Sequence, residues 1–177
     1  MTSMASKAPA KDAPTGGGLR GFVDTNSQWI SLVMRILLAV MWFWYSVGKL
    51  GSPESNAQNV RDFRLLPESL VTPFGYAQPY LELALGLLLI LGLGTRLVAI
   101  MSALLLLVYI VGIISLGARG IYISCGCGGS GGAVTKGHTR YTLDVLRDLL
   151  YMLPAAWLIW KPASKLSLER ALLGDPI

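Results

Sequence analysis

The sequence predicts an all-α membrane protein: an antiparallel bundle of four transmembrane helices, with a short interfacial amphipathic segment between helices 1 and 2. Three observations carry that expectation. Apolar residues make up 53% of the 177-residue chain and fall into blocks. Charged residues are only 14%, against roughly a quarter in ordinary soluble domains. Each block is close to the roughly 20 residues that a helix needs to cross a bilayer core of about 30 Å. A soluble chain of this size could not hide such blocks in one core, whereas a helix satisfies its own backbone groups in lipid.

The blocks cover residues 29–48, 76–93, 97–116 and 141–160. Trp42, Trp44, Trp157 and Trp160 fall toward segment ends, where amphipathic rings favour the interface. Residues 1–28 hold Gly16-Gly17-Gly18 and much Ala, Lys, Ser, Thr and Pro. They have too little apolar surface to fold alone and are expected to form a disordered tail. Residues 29–160 then form the transmembrane domain, and 161–177 a C-terminal tail. No apolar core follows Met1, so no cleaved secretory signal is expected.

Gly94-Thr95-Arg96 reads as a tight turn joining the second and third blocks into an antiparallel hairpin. Between residues 50 and 75, Val60, Phe63, Leu66 and Leu70 recur at steps of three or four. Arg61, Asp62, Arg64 and Glu68 are interleaved with them. That pattern suggests an amphipathic segment on the membrane surface, broken at Pro67.

The net charge of +5 is spread around the apolar blocks. Such flanking charges suit a lipid bilayer as the first partner and argue against nucleic acid. Four crossings put both termini on one side with the short turn, and the loop of residues 117–140 on the other. Lys and Arg number eight on the terminal side and seven on the loop side, too even to set orientation. The cysteine chemistry sets it instead, since thiol oxidation belongs in an oxidising space. The termini are therefore expected in the cytoplasm and the cysteine loop outside, in a bacterial plasma membrane.

Cys125 and Cys127 are the only cysteines, which excludes a disulfide-stapled secreted scaffold. Two residues apart, their Cα atoms lie within about 7 Å, near the limit for a bridge. A ring that small is strained and easily reduced, which suits exchange better than structure. The other readings are two adventitious loop thiols, or metal binding. Zinc wants four ligands, and His138 is the only histidine. Two thiolates would suit only a soft ion such as Cu(I), and no metal site is expected. His138 is either a proton shuttle or a solvated loop histidine.

Charges inside apolar segments mark function by default. Lys49, Glu82, Asp144, Arg147 and Asp148 all thread toward the cysteine-loop end. They are expected to form a buried cluster beneath that loop, either stabilising a thiolate and carrying protons or simply joining helices. Asp144 lies at helical spacing from both Arg147 and Asp148. Arg35 falls at the other end, where its side chain is expected to snorkel to headgroups.

Several of these runs are familiar together. Gly48-Lys49-Leu50 follows an aromatic-rich first helix, and Phe63-Arg64-Leu65-Leu66-Pro67 comes next. Pro79-Tyr80-Leu81-Glu82-Leu83-Ala84-Leu85-Gly86 leads to Leu91-Gly92-Leu93-Gly94-Thr95-Arg96. Last come Cys125-Gly126-Cys127-Gly128 and a fourth helix with both acidic and basic residues. In this order the chain resembles the MauE/DoxX-like family of redox-associated membrane proteins, over about residues 31–160. The resemblance implies a four-helix bundle and a role in disulfide formation or redox maturation, with a thioredoxin-like partner. Family members commonly have Phe after Cys-Gly-Cys, where this chain has Gly128-Gly129. The family is similar in outline to vitamin K epoxide reductases and DsbB, which use two cysteine pairs and a quinone. With one pair, this chain has no internal disulfide relay; no cofactor is evident, and a quinone is left open. The leading expectation is a helper in thiol–disulfide exchange acting through Cys125 and Cys127. The rival is a non-enzymatic accessory subunit of a larger membrane complex, for example a respiratory one.

Overall fold

The computed structural model describes residues 19–125, 131–133 and 141–162. In chain order these form α1 (Leu19–Leu50), α2 (Pro53–Phe63), α3 (Glu68–Leu91), α4 (Thr95–Ala118), β1 (Ile123–Cys125), β2 (Gly131–Ala133) and α5 (Tyr141–Trp160). Among the described residues, three helical stretches are long and apolar enough to cross a membrane: Asn26–Leu50, Glu68–Leu91 and Thr95–Ala118. The sequence predicts four. At 20 residues α5 has the length, but Asp144, Arg147 and Asp148 crowd its first two turns and dilute the apolar run.

Two helices begin earlier than the apolar blocks suggest. α1 starts at Leu19 and takes in the polar residues expected as tail. An apolar block measures what suits lipid, whereas a helix, once nucleated, propagates through any residues that do not break it. α3 starts at Glu68 rather than near residue 76, with Pro67 as its N-cap. Ser69, Thr72, Pro73 and Gly75 hide this start from a hydropathy reading. Pro73 and Pro79 both lie inside the helix, as membrane helices tolerate.

The amphipathic segment is correspondingly shorter and earlier. Pro53 at the first helical turn suits the start of α2, and Arg64 ends it in a left-handed conformation at φ 50°. Leu66 falls in the connection and Leu70 in α3. α2 folds back onto the first turns of α3, and Asn56 Nδ2 donates to the Gly75 carbonyl at 2.6 Å. A Cβ on Gly75 would stand 2.5 Å from Ala57 Cα, so only glycine permits this approach. Gly75→Ala is expected to lower stability by about 1–3 kcal/mol through overpacking. Thermal unfolding of the purified protein in detergent measures it; an unchanged transition would mean that α2 does not dock here.

The α3–α4 turn is Gly92-Leu93-Gly94, slightly ahead of the expected Gly94-Thr95-Arg96. Gly92 and Gly94 have φ of 67° and 55°, where a side chain is disfavoured. The Gly92 and Leu93 amides both donate to the Leu88 carbonyl, at 2.9 and 3.1 Å, closing the last turn of α3.

α1 packs chiefly on α3, and α4 on α5. Leu38, Trp42, Leu85, Leu89, Leu106 and Leu158 meet in the core, where Trp42 Nε1 donates to Ser102 Oγ at 2.9 Å. Polarity is inverted relative to a soluble protein. Val40, Val47, Leu97, Leu107, Val111 and Leu153 are exposed, while Glu82 and Asp148 are each 0% exposed. That arrangement suits a hydrocarbon surround, in which ionisable groups turn inward and pair. Arg35 also departs from expectation: at 3% exposure it is buried in the bundle rather than snorkelling outward.

Candidate functional site

The predicted polar residues assemble into two ion-paired groups that share one aromatic side chain. Lys49, in the last turn of α1, reaches Glu82 of α3, with Nζ 2.5 Å from Oε1. The Tyr109 hydroxyl of α4 donates to the same oxygen. Gln78, one turn before Glu82, donates to Tyr109 Oη at 2.7 Å and more weakly to Glu82 Oε1 at 3.4 Å. Glu82 Oε1 is thus surrounded by donors, whereas the buried Oε2 has no hydrogen-bond partner among the described residues.

The second group lies on α5. Arg147 Nη1 is 3.3 Å from Asp144 Oδ1, and Arg147 Nη2 is 3.2 Å from Asp148 Oδ1. Tyr45 of α1 donates its hydroxyl to Asp148 Oδ1 at 3.1 Å. Asp148 Oδ2 repeats the pattern of Glu82 Oε2, buried without a partner among the described residues. The Tyr45 ring stands between the groups, with Arg147 Cζ 5.2 Å from its centroid and Lys49 Nζ 5.8 Å. Lys49 also lies 5.1 Å from the Tyr109 centroid, close enough for cation–π attraction. Glu82 therefore pairs with Lys49, and Arg147 pairs with the aspartates. The two groups meet through Tyr45 rather than through a Glu82–Arg147 bond.

The site lies deep in α3. With α3 starting at Glu68, Glu82 sits about 21 Å along the helix axis, at 1.5 Å per residue. α1 ends level with it, and α2 folds over the gap. α2 is held from outside by Arg119, whose Nη2 donates to the Phe63 carbonyl at 2.5 Å. On the surface, the Arg61 guanidinium pairs with Glu68 at 2.5 Å, and the hydrogen bond holds Arg61 above its ordinary pKa.

The cysteine segment sits at the same end of the bundle. β1 and β2 pair antiparallel, with Cys125 opposite Gly131. The hairpin is tied to the start of α5: the Tyr141 hydroxyl donates to the Ile121 carbonyl at 2.7 Å and accepts from the Ile123 amide at 2.9 Å. Cys125 is described in its backbone only, and Cys127 and His138 lie outside the described residues.

The family model of methylamine utilisation protein MauE matches residues 27–161. The chain belongs to the MauE family. The matched span runs from α1 through α5, so both ion-paired groups and the cysteine hairpin lie within the MauE region. With its apolar outer faces, this MauE-family chain is an integral membrane protein. No curated protein and no solved structure matches it.

Three side chains of this cluster escaped the sequence reading. Gln78 and Tyr45 each lie four residues before a predicted member, Glu82 and Lys49, and helical spacing alone could have found them. Tyr109 sits in a helix with no charge nearby in sequence, and only packing brings it to Glu82. Chemically, the cluster neutralises one lysine with one carboxylate inside an apolar bundle. It leaves one carboxylate oxygen in each group, Glu82 Oε2 and Asp148 Oδ2, without a hydrogen-bond partner among the described residues.

Proposed function

We propose that this chain is a membrane-embedded helper in thiol–disulfide exchange, serving redox maturation in methylamine utilisation. The observation that carries the reading is the hairpin. Cys125 ends a strand clamped to the bundle by Tyr141, and the five residues between the strands include Cys127. The Cys-Gly-Cys unit of the sequence thus begins at the end of a strand fixed to the bundle, and a thioredoxin-like partner would meet it there. The thiolate of one cysteine attacks a partner disulfide sulfur, and the partner's other sulfur leaves as a thiolate. The second cysteine then attacks the mixed disulfide. The chain is left with a Cys125–Cys127 bridge and the partner with two thiols. Two electrons have passed to the partner, and the reverse reaction uses the same steps. The buried Lys49, Glu82 and Asp148, with the half-buried Asp144 and Arg147, support the end of the bundle on which the hairpin stands, and His138 is assigned as a proton shuttle.

The same reading has α5 as a fourth crossing. Leu143, Leu146, Leu150 and Leu153 are exposed along it while Asp148 is buried, as expected of a helix with one face toward lipid. The termini are then cytoplasmic, and the hairpin faces the oxidising side of a bacterial plasma membrane. Under reducing conditions, an impermeant maleimide should label the loop cysteines in intact cells. Labelling seen only after lysis reverses the orientation.

The rival reading, an accessory subunit of a larger membrane complex, is favoured by the closed pairing of Lys49 with Glu82 and of Arg147 with its aspartates, which needs no chemistry. Thiol trapping in native membranes separates the two. A mixed disulfide to a second protein supports exchange, and a complex that survives loss of both cysteines supports the subunit.

A further inference from the structure

α2 ends among arginines at the level where the apolar helices stop. The stretch of α4 suited to lipid runs from Thr95 to Ala118, so Arg119 is the first residue beyond it. Arg119 Nη2 and Nη1 donate to the Phe63 and Arg64 carbonyls at 2.5 and 3.3 Å, and Nε donates to the Ser115 carbonyl at 3.2 Å. These bonds bring the Arg64 backbone to the same depth. Arg61 pairs with Glu68, the first residue of the α3 span, which sets it at that boundary too. The three charges differ in how far they are already matched. Glu68 neutralises Arg61, whereas the acceptors of Arg119 are carbonyls and leave its charge intact. A guanidinium has five N–H groups, so two of those on Arg119 remain. Arg64 is exposed and sits in the left-handed region at φ 50°. Glycine is the ordinary residue there, and a side chain is strained. Glycine would close this turn with less strain, so an arginine in its place points to a use for the guanidinium.

Just inside this boundary the surface is apolar. Leu65, Phe74 and Val108 are 52%, 47% and 57% exposed, and they line a cavity of about 180 Å³ beneath α2. Val108, Gly112 and Arg119 follow one face of α4, at steps of four and seven residues. Gly112 makes room for the Phe63 ring, since a Cβ there would stand 3.1 Å from Phe63 Cε1. From Val108 to Arg119 the face changes from apolar to cationic over roughly 16 Å, at 1.5 Å per residue. An acyl chain that ends in an anionic head has the same order of surfaces. Phosphate oxygens also match the fork of a guanidinium, which grips them with two N–H groups. A choline head carries its own cation, which the neighbouring arginines repel.

We propose that Arg64 and Arg119 form a headgroup site for an acidic glycerophospholipid. They bind its phosphate, and its acyl chain lies along Leu65, Phe74 and Val108. The inference is independent of the cysteine reading, because it concerns lipid binding alone.

The test uses the full chain in detergent micelles, titrated with dioleoylphosphatidylglycerol, with dioleoylphosphatidylcholine or with inorganic phosphate, and bound ligand is counted by native mass spectrometry. The parent chain should bind phosphatidylglycerol saturably and more tightly than phosphatidylcholine. Arg64→Gly removes the cation and relieves the left-handed strain. It should weaken phosphatidylglycerol binding about tenfold, as expected for loss of one hydrogen bond to a charged group. Its thermal unfolding transition should stay where it was or rise. Arg64→Lys keeps the charge and should keep most of the preference, and Arg64→Gln serves if the glycine variant does not fold. Arg61→Gln is the control, because Glu68 already matches that charge, and it should leave binding unchanged. An Arg61→Gln effect as large as that of Arg64→Gly reveals diffuse surface charge rather than a site, and overturns the proposal. So does phosphatidylglycerol binding that loss of the Arg64 charge does not weaken, or inorganic phosphate bound as tightly as the lipid.

Discussion

Replacing Glu82 with leucine while Lys49 remains is expected to destabilise the protein by about 3–5 kcal/mol, the range for stranding one partner of a buried ion pair. Lys49 is 3% exposed and Glu82 is 0% exposed, so water cannot take the place of the lost carboxylate. Tyr109 would also lose its acceptor, and Gln78 one of its two. The double variant Lys49→Met with Glu82→Leu removes both charges and keeps apolar volume, and should recover most of the loss. Buried pairs replaced together by apolar residues are often neutral or better. Equilibrium unfolding in mixed micelles, with all variants in one detergent ratio, measures both effects. A single variant within about 1 kcal/mol of the parent would show that lipid or water reaches Lys49, as for an exposed pair. A double variant no better than the single one would show that the cluster holds α1, α3 and α4 through Tyr109 rather than through the charge pair.

Replacing either Cys125 or Cys127 with serine is expected to abolish exchange outright, because each thiol carries a different step. One forms the mixed disulfide and the other resolves it, so one of the two variants should accumulate a covalent adduct with the partner. In the parent chain, the pair should interconvert between dithiol and disulfide at a potential above the roughly −300 mV typical of structural bridges. Alkylation followed by mass spectrometry across a graded redox buffer reads the midpoint. If both sulfurs remain thiols throughout, the exchange mechanism is abandoned in favour of the accessory subunit.

Some of this architecture is written in local pattern, and some is not. The apolar blocks determine that α1, α3 and α4 suit a bilayer, because length and hydropathy are properties of a segment by itself. The same holds for the polar character of Lys49, Glu82, Asp144, Arg147 and Asp148, and for the end of the bundle to which antiparallel threading sends them. Helical spacing likewise links Arg147 to Asp144. Helix starts are less legible, since Leu19 and Glu68 begin helices in polar stretches where hydropathy is silent and hydrogen bonding is not.

Which charge meets which is a matter of packing alone. Glu82 and Arg147 thread to the same end, yet α1 carries Lys49 to Glu82 and inserts Tyr45 toward Asp148, separating groups that threading alone would merge. The burial of Arg35 is decided in the same way, by the neighbours that close over it. The docking of α2 on Gly75 also depends on two segments meeting, as does the cavity that forms beneath it. A helix face has a composition in the sequence, but its partner face comes from elsewhere in the chain. Contact between them therefore exists only once the helices are set side by side.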